Sequence, residues 1–162
     1  MSSIITIAGF TGSVRAESSN KAALRLAQEL LPASVQLDLL AIEELSIEEI
    51  NARLQRADAI LIATPEYKGL LSRALRIVLT QIAPENVAEK PVALLGVGRS
   101  DDQDHQHTQL RHLLGELDAS VLDEQVYISA EQLNDEATDR QIRALLESLV
   151  QRVQTGSSVL AN

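Results

Sequence analysis

The sequence predicts a three-layer α/β sandwich, in which helices cover both faces of a five-stranded parallel sheet of order 2-1-3-4-5. Short runs of aliphatic and β-branched residues alternate five times with longer amphipathic segments. The strand-like runs are almost unbroken in apolar character, as expected when both faces of a sheet are covered. Because no repeat or linker divides the chain, we expect one domain over residues 1–154 and a disordered tail over residues 155–162.

The bounds of these elements follow from local signals. Five apolar runs predict strands, over residues 4–8, 35–40, 59–63, 92–97 and 121–128. Five amphipathic segments predict helices, over residues 19–31, 46–57, 70–82, 105–117 and 135–153. Pro32 and Pro84 end the first and third helices, because proline cannot continue a helix. Ser46 and Glu49 open the second helix as a capping box, and Asn134 is expected to cap the last.

Composition restricts the classes of function. The 162 residues include 23 Asp and Glu but 14 Lys and Arg, and the net charge of −9 argues against a surface for nucleic acid or anionic membrane. Cysteine is absent, which excludes disulfides, thiolate catalysis and cysteine-ligated metals. The N-terminus lacks the basic region of a signal peptide, and no apolar run approaches the roughly 20 residues of a membrane span. A cytoplasmic location is the expectation.

The loop after strand 1, residues 9–20, is the first part of a predicted binding site. In a sheet of this order, ligands bind beyond the carboxyl ends of the strands, near strands 1 and 3. Free N–H groups at a helix N-terminus attract phosphate. Ser13 and Ser18 would donate to phosphate oxygens, and Arg15 would supply positive charge. The alternative is a plain strand-to-helix turn, in which Ser18 or Ser19 only caps the helix.

The segment TPEYKG follows strand 3. Pro65 restricts the backbone, so the chain leaves the strand in a defined direction. Glu66, Tyr67 and Lys68 then project from a constrained turn, and Gly69 permits close backbone approach. The alternative is a proline turn with solvated charges and a packing tyrosine.

The loop after strand 4 completes the predicted rim. Gly96 and Gly98 would let backbone amides approach a planar ligand. A metal site in the acidic and histidine-rich stretch 101–107 is not favoured, because His105 and His107 are two residues apart and would lie on different faces of a helix. We therefore predict no metal site, and no nucleophile with a paired base is evident.

Two of these loops resemble a known family. Residues 12–20 match the GSxRxxSxN pattern of the NAD(P)H-dependent FMN reductase family, and residues 64–67 match its TPEY segment. The resemblance implies a flavodoxin-like fold that binds FMN, with NADPH or NADH as electron donor and a homodimer or homotetramer as the assembly. It also implies the residues that hold the cofactor. Four would bind the phosphate, and the others would line the flavin ring and its pyrimidine edge: Ser13, Arg15, Ser18 and Asn20, then residues 65–69, then residues 96–99.

The chain departs from the common pattern of the family at several positions. Lys68 replaces an asparagine, and residues 67–75 are more similar to the branch that supplies reduced flavin to sulfonate monooxygenases. The glycine-rich third loop is partly replaced by Asp101, Asp102 and Asp104, whose charges are expected to weaken the binding of an anionic flavin.

The reaction that the resemblance implies is hydride transfer from the nicotinamide to flavin N5 and then to a small acceptor, with no catalytic residue required of the protein. Arg99, or the amide of Gly98, would stabilise the negative N1–O2 edge of reduced flavin. Alternatives are a quinone, azo or metal-ion reductase on the same scaffold, a non-catalytic electron carrier, and a binding module with weakened FMN affinity. The helix over Leu70 to Ile82 has too many apolar positions for one face and is the candidate interface between subunits.

Overall fold

A computed structural model of the protein describes residues 4–12, 19–64, 71–98 and 107–161. Five parallel strands form one sheet of order β2-β1-β3-β4-β5, which confirms the predicted topology. The strands of this sheet are β1 Ile5–Thr11, β2 Val35–Leu39, β3 Ala59–Ala63, β4 Pro91–Gly98 and β5 Ser120–Ser129. Each crossover is helical, as parallel pairing requires.

The described helices follow the strands in strict alternation. They are α1 Ser19–Leu30, α2 Ile47–Arg56, α3 Arg73–Gln81, α4 Thr108–Glu116 and α5 Glu136–Ala161, with single 3-10 turns at Pro84–Asn86 and Ala130–Gln132. Ser46 caps α2 as predicted, since its Oγ accepts a hydrogen bond from the Glu49 amide at 3.1 Å. Ser72 caps α3 in the same way, accepting from the Leu75 amide at 3.3 Å.

The sheet separates two apolar cores. On one face α2, α3 and α4 pack against alternate strand residues, which include Phe10, Ile60, Ile62 and Leu94. On the other face α1 and α5 pack against the intervening residues, which include Ile7, Leu61, Ala63, Ala93 and Leu95. The centre of the sheet is therefore buried on both sides, and its residues are fixed by packing from two directions.

Strand β1 is longer than the predicted strand over residues 4–8, because it continues through Thr11. Gly9 lies inside the strand, where a Cβ would come within 2.8 Å of Leu37 Cδ1. This glycine permits close packing against β2 rather than starting a turn, and Phe10 is buried in the core. The loop that follows β1 therefore begins three residues later than expected.

Helix α5 also extends further than predicted, through Ala161 instead of ending near residue 153. Residues 155–161, predicted as a disordered tail, are helical. Gly156 and the two serines after it are poor helix formers, but each costs only about 0.5–1 kcal/mol once the preceding turns exist. Within the described residues no helix, α5 included, is long and apolar enough to cross a membrane.

An irregularity separates β5 from its neighbour β4. Val121 lies opposite Val92 and Gln125 opposite Leu94, so three residues of β5 face only Ala93. Arg111, on α4, holds this bulge by donating from Nη1 to the Leu122 carbonyl at 3.1 Å.

Lys90, immediately before β4, connects the sheet to the end of α2. Its Nζ donates to the main-chain carbonyls of Leu54 and Gln55. A positive charge is favourable at this end of a helix. Burial lowers the pKa of Lys90 below its usual 10.5, and the nearby carboxylate of Asp58 opposes the shift in part.

We expect Lys90→Met to reduce the free energy of unfolding by about 1 kcal/mol at neutral pH, because the helix end loses its donor. The unfolded chain retains its lysine proton up to about 10.5, while the folded protein releases it earlier. The stability of the wild type relative to Lys90→Met should therefore rise as pH approaches that value from below. Urea unfolding of both proteins between neutral and alkaline pH tests this, and a constant or shrinking difference would contradict it.

Candidate functional site

Buried polar side chains concentrate at one edge of the sheet. Six are buried among the described residues: Thr11, Asn20, Thr64, His107, Ser129 and Thr138. All six lie at the carboxyl ends of strands or at the start of a helix that begins there. Since buried polar groups are costly unless they find partners, this edge is the part of the molecule organised for polar recognition.

Asn20, in the first turn of α1, is 5% exposed. Its Oδ1 has no hydrogen-bond partner among the residues that the structure describes. Such an atom costs about 1–3 kcal/mol unless something pairs with it. A 180° rotation of the carboxamide would place Nδ2 there instead, and Nδ2 is a donor suited to a phosphate oxygen.

Gly12, at the exit of β1, lies against the start of α3. A Cβ at this position would come within 2.1 Å of Ser72 Oγ and 2.9 Å of Leu75 Cβ. Only glycine permits so close an approach. The contact brings the loop after β1 directly beside the N-terminus of α3, so two of the predicted ligand-binding loops share one boundary.

An ion pair anchors α1 beside this edge. Lys21 Nζ lies 2.7 Å from Glu43 Oε1, which connects α1 to the loop after β2. Burial raises the pKa of Glu43, but its hydrogen bonds with Lys21 and the main chain and the Lys21 charge together hold it below the usual 4.5. The two side chains line a cavity of about 300 Å³, together with Thr11 and Arg25.

The residues described on either side of the undescribed stretch 65–70, Thr64 and Leu71, are both bonded to the start of α4. His107 Nε2 lies 2.9 Å from the Thr64 carbonyl oxygen. The Leu71 amide donates to Gln109 Oε1 at 2.9 Å. The Thr64 amide also donates to the Leu95 carbonyl, which continues the β3–β4 pairing by one residue.

The space above Gly96 is filled by side chains of the protein itself. A Cβ there would lie 2.3–2.4 Å from Tyr127 ring carbons and 3.0 Å from His107 Cε1. The rings of His107 and Tyr127 stack with centroids 5.8 Å apart. Gly98 is half-buried at the end of β4, in register with Ser129.

The helix starts differ in charge according to their position in the sheet. Helices α1, α3 and α4 follow the three central strands and have no acidic residue in the first turn. Helices α2 and α5 follow the edge strands and have two each. In a chain with 23 acidic residues, the central helix N-termini keep their partial positive charge uncompensated within the helix.

Three of the predicted cofactor-binding residues lie within the described ranges, Asn20, Gly96 and Gly98, and all three are at this edge. The others, Ser13, Arg15, Ser18, Pro65, Glu66, Tyr67, Lys68, Gly69 and Arg99, lie outside those ranges, as do Asp101, Asp102 and Asp104. Sequence reasoning missed His107, Gln109 and Tyr127 as parts of the site. The helix was expected to start at residue 105, whereas α4 starts at Thr108.

The apolar positions of α3 are mostly used within the monomer. Among those described, Leu71, Leu75, Val78, Leu79 and Ile82 are buried in the core. Ile77 alone in this set is exposed, at 43%. The argument that this helix carries too many apolar residues for one face was therefore wrong for the described residues, because the core absorbs all of them except Ile77. Leu70 lies outside the described residues.

Comparison with known proteins gives a consistent assignment. A sequence profile of NADPH-dependent FMN reductases matches residues 5–133. An NAD(P)H-dependent FMN reductase of Pseudomonas aeruginosa is 30% identical over 94% of this chain and 92% of that protein. A quinone reductase of Pseudomonas putida is 30% identical over 60% of this chain and 62% of its own length. The solved structure of a flavoenzyme, the NAD(P)H:(acceptor) oxidoreductase of Paracoccus denitrificans, has a TM-score of 0.79 at 19% identity, covering 94% and 98% of the two chains.

A substitution at position 96 tests whether the packing of Tyr127 against the end of β4 requires a glycine there. Gly96→Ala should lower the free energy of unfolding by about 1–3 kcal/mol, because the new methyl group displaces Tyr127. Gly115→Ala is the matched control: a Cβ at that helical position meets nothing within 4 Å. It should stabilise the protein by about 0.5–1 kcal/mol. Urea unfolding of both variants measures the two effects, and equal shifts would refute the packing role of Gly96.

Proposed function

Because the chain belongs to the NADPH-dependent FMN reductase family, we propose that it reduces FMN with NADPH or NADH and passes the electrons to a small acceptor. The observation that carries this proposal is the convergence of polar groups at the carboxyl edge of the central strands. In sheets of this order, that edge is where a ligand binds.

The described residues fit the phosphate end of FMN. The unpaired Oδ1 of Asn20 lies in the first turn of α1, where a rotated carboxamide would offer Nδ2 to a phosphate oxygen. The absence of acidic residues from the first turns of α1 and α3 favours an anion at both helix starts. A protein with a net charge of −9 needs such a local positive region to hold a phosphate.

FMN supplies the redox chemistry when bound, by accepting a hydride and delivering electrons onward. The protein's contribution is to bind and orient. Asn20, with Ser13, Arg15 and Ser18, is proposed to hold the phosphate. Residues 65–69 are proposed to line the ring, and the Gly98 amide or Arg99 to stabilise negative charge at its pyrimidine edge.

Quinone is the second candidate for the acceptor. The observation that favours it is the similarity to the quinone reductase of Pseudomonas putida. The similarity of residues 67–75 to the branch that serves sulfonate monooxygenases instead favours release of reduced flavin to a partner enzyme. Steady-state oxidation of NADPH with a quinone, or with excess free FMN, as the acceptor separates these two outcomes.

We further propose a cytoplasmic homo-oligomer, a dimer or tetramer. The exposed face of α3 includes Arg73, Arg76 and Ile77, and it is the proposed contact. Family resemblance supports the assembly, and the location rests on Ile77, the exposed large apolar side chain among the described residues of α3. Sedimentation of the wild type and Ile77→Glu tests both, since a monomeric wild type would refute the first.

Asn20→Asp should weaken FMN binding at least tenfold, because a carboxylate would repel the phosphate where the carboxamide can donate. Riboflavin, which lacks the phosphate, provides the control ligand: its affinity should change by less than twofold. Fluorescence titration with both flavins gives the two dissociation constants. Asn20→Ser, which adds no charge, should give a smaller loss in the same direction.

FMN titration, together with an assay of NADPH and NADH oxidation, tests the proposed function as a whole. Wild-type protein that neither binds FMN nor oxidises NADPH or NADH in its presence would exclude the reductase function. FMN binding without nucleotide oxidation would indicate an electron carrier. Equal losses for FMN and riboflavin in Asn20→Asp would show that Asn20 does not contact the phosphate.

A further inference from the structure

The start of α4, through its N-cap His107 and through Gln109, bonds the residues described on either side of the stretch that joins β3 to α3. His107 bonds the carbonyl of Thr64, the last described residue before that segment. Gln109 accepts from the amide of Leu71, the first described residue after it. The two side chains are two residues apart in the chain, so one helix start holds two ends separated by seven residues.

Each bond reaches a main-chain group beside the end of a regular element. Thr64 follows the last residue of β3, and Leu71 precedes Ser72, the N-cap of α3. A carbonyl oxygen only accepts, so the hydrogen of the Thr64 bond is on His107 Nε2. The carboxamide of Gln109 accepts through its oxygen. His107 therefore supplies a donor for the Thr64 carbonyl, and Gln109 supplies an acceptor for the Leu71 amide.

His107 is itself held in place on several sides. It is 2% exposed, and its ring stacks on Tyr127 above the space that Gly96 leaves open. Its carbonyl accepts from the Arg111 amide at 2.8 Å, which joins it to α4. Its backbone is left-handed, with φ 51° and ψ 39°. A non-glycine residue keeps such a conformation only when its surroundings determine it.

We propose that His107 and Gln109 are positioning residues, which hold Thr64 and Leu71 at the start of α4 and thereby set the affinity for FMN. The inference rests on the proposed function, because Thr64 and Leu71 flank the residues proposed to line the flavin ring. Fixing both ends of a short segment reduces the conformational freedom that ligand binding would otherwise have to remove. The residues act through Thr64 and Leu71 rather than by touching the cofactor.

Two matched pairs of variants isolate the hydrogen bonds. His107→Gln keeps a donor near the position of Nε2, whereas His107→Leu removes the donor at similar size. Glutamine and leucine both tolerate a left-handed backbone poorly, so the loss of stability from this source cancels when the two variants are compared. Gln109→Glu keeps an acceptor, whereas Gln109→Met removes it at similar length. NMR amide exchange at Leu71, measured without ligand, reports the Gln109 bond directly. Titration with FMN reports the consequence of the His107 bond.

Exchange at Leu71 should accelerate at least tenfold in Gln109→Met and less than threefold in Gln109→Glu, relative to core amides of β3 in the same protein. FMN should bind five- to tenfold more weakly to His107→Leu than to His107→Gln. Acceleration at Leu71 no greater than that of β3 would refute the role of Gln109. Equal FMN affinity of the two His107 variants would refute that of His107.

The amide measurement also separates this inference from the proposed function. A wild-type protein that fails to bind FMN would exclude the reductase function and with it the effect on affinity. The bond between Gln109 and Leu71 would still stand or fall on Leu71 exchange, because that readout requires no ligand.

Discussion

The parallel arrangement of the sheet is the constraint on which the rest of the structure depends. Parallel neighbours cannot be joined by a tight turn, so every strand is followed by a helix that returns the chain to the starting edge. All five strands therefore end at one edge, and all five described helices begin there. Polar groups at strand ends and positive helix starts are brought together without any local sequence requirement.

The helix starts at the centre of the sheet differ in charge from those at its edges. Glu48 and Glu49 in α2, and Glu136 and Asp139 in α5, compensate the dipoles of the helices after the edge strands. The helices after the central strands lack such residues in the first turn. Compensation would favour stability by about 0.3–1 kcal/mol per helix. Its absence at the three central positions is consistent with an external anion taking that role.

Sequence patterns predicted the topology because it depends on alternation of apolar runs, and β3, buried on both faces, was predicted to the residue. The predicted ends of strands and helices were less accurate where the same residue type occurs both in turns and inside regular structure. Gly9 resembles a turn residue but lies within β1, because its missing side chain accommodates Leu37. The start of α4 was placed at residue 105, since nothing local indicates that His107 adopts a left-handed conformation before the helix.

Only part of the candidate site could be proposed from the sequence, because some of its contacts join residues that are far apart in the chain. Asn20 was identified through a contiguous motif that can be read along the chain. The bonds of His107 and Gln109 join a side chain to main-chain atoms 43 and 38 residues away. Every residue at position 64 presents the same carbonyl, and every residue except proline at position 71 presents the same amide. The residue types at these two positions therefore do not reveal the contacts. Such contacts become visible only once the topology has placed the segments together.

The bulge in β5 has a consequence for association between molecules. An outer strand with regular spacing presents a row of unpaired main-chain groups, onto which a strand of another molecule can add. In β5, residues 122–124 face a single residue of β4, so the outward spacing of its donors and acceptors is interrupted near the middle. Exposed Asp123 and Glu124 add negative charge at that point. The other outer strand, β2, is only five residues long. Both borders of the sheet are thus poor templates for continued pairing, which opposes the addition of strands from other molecules.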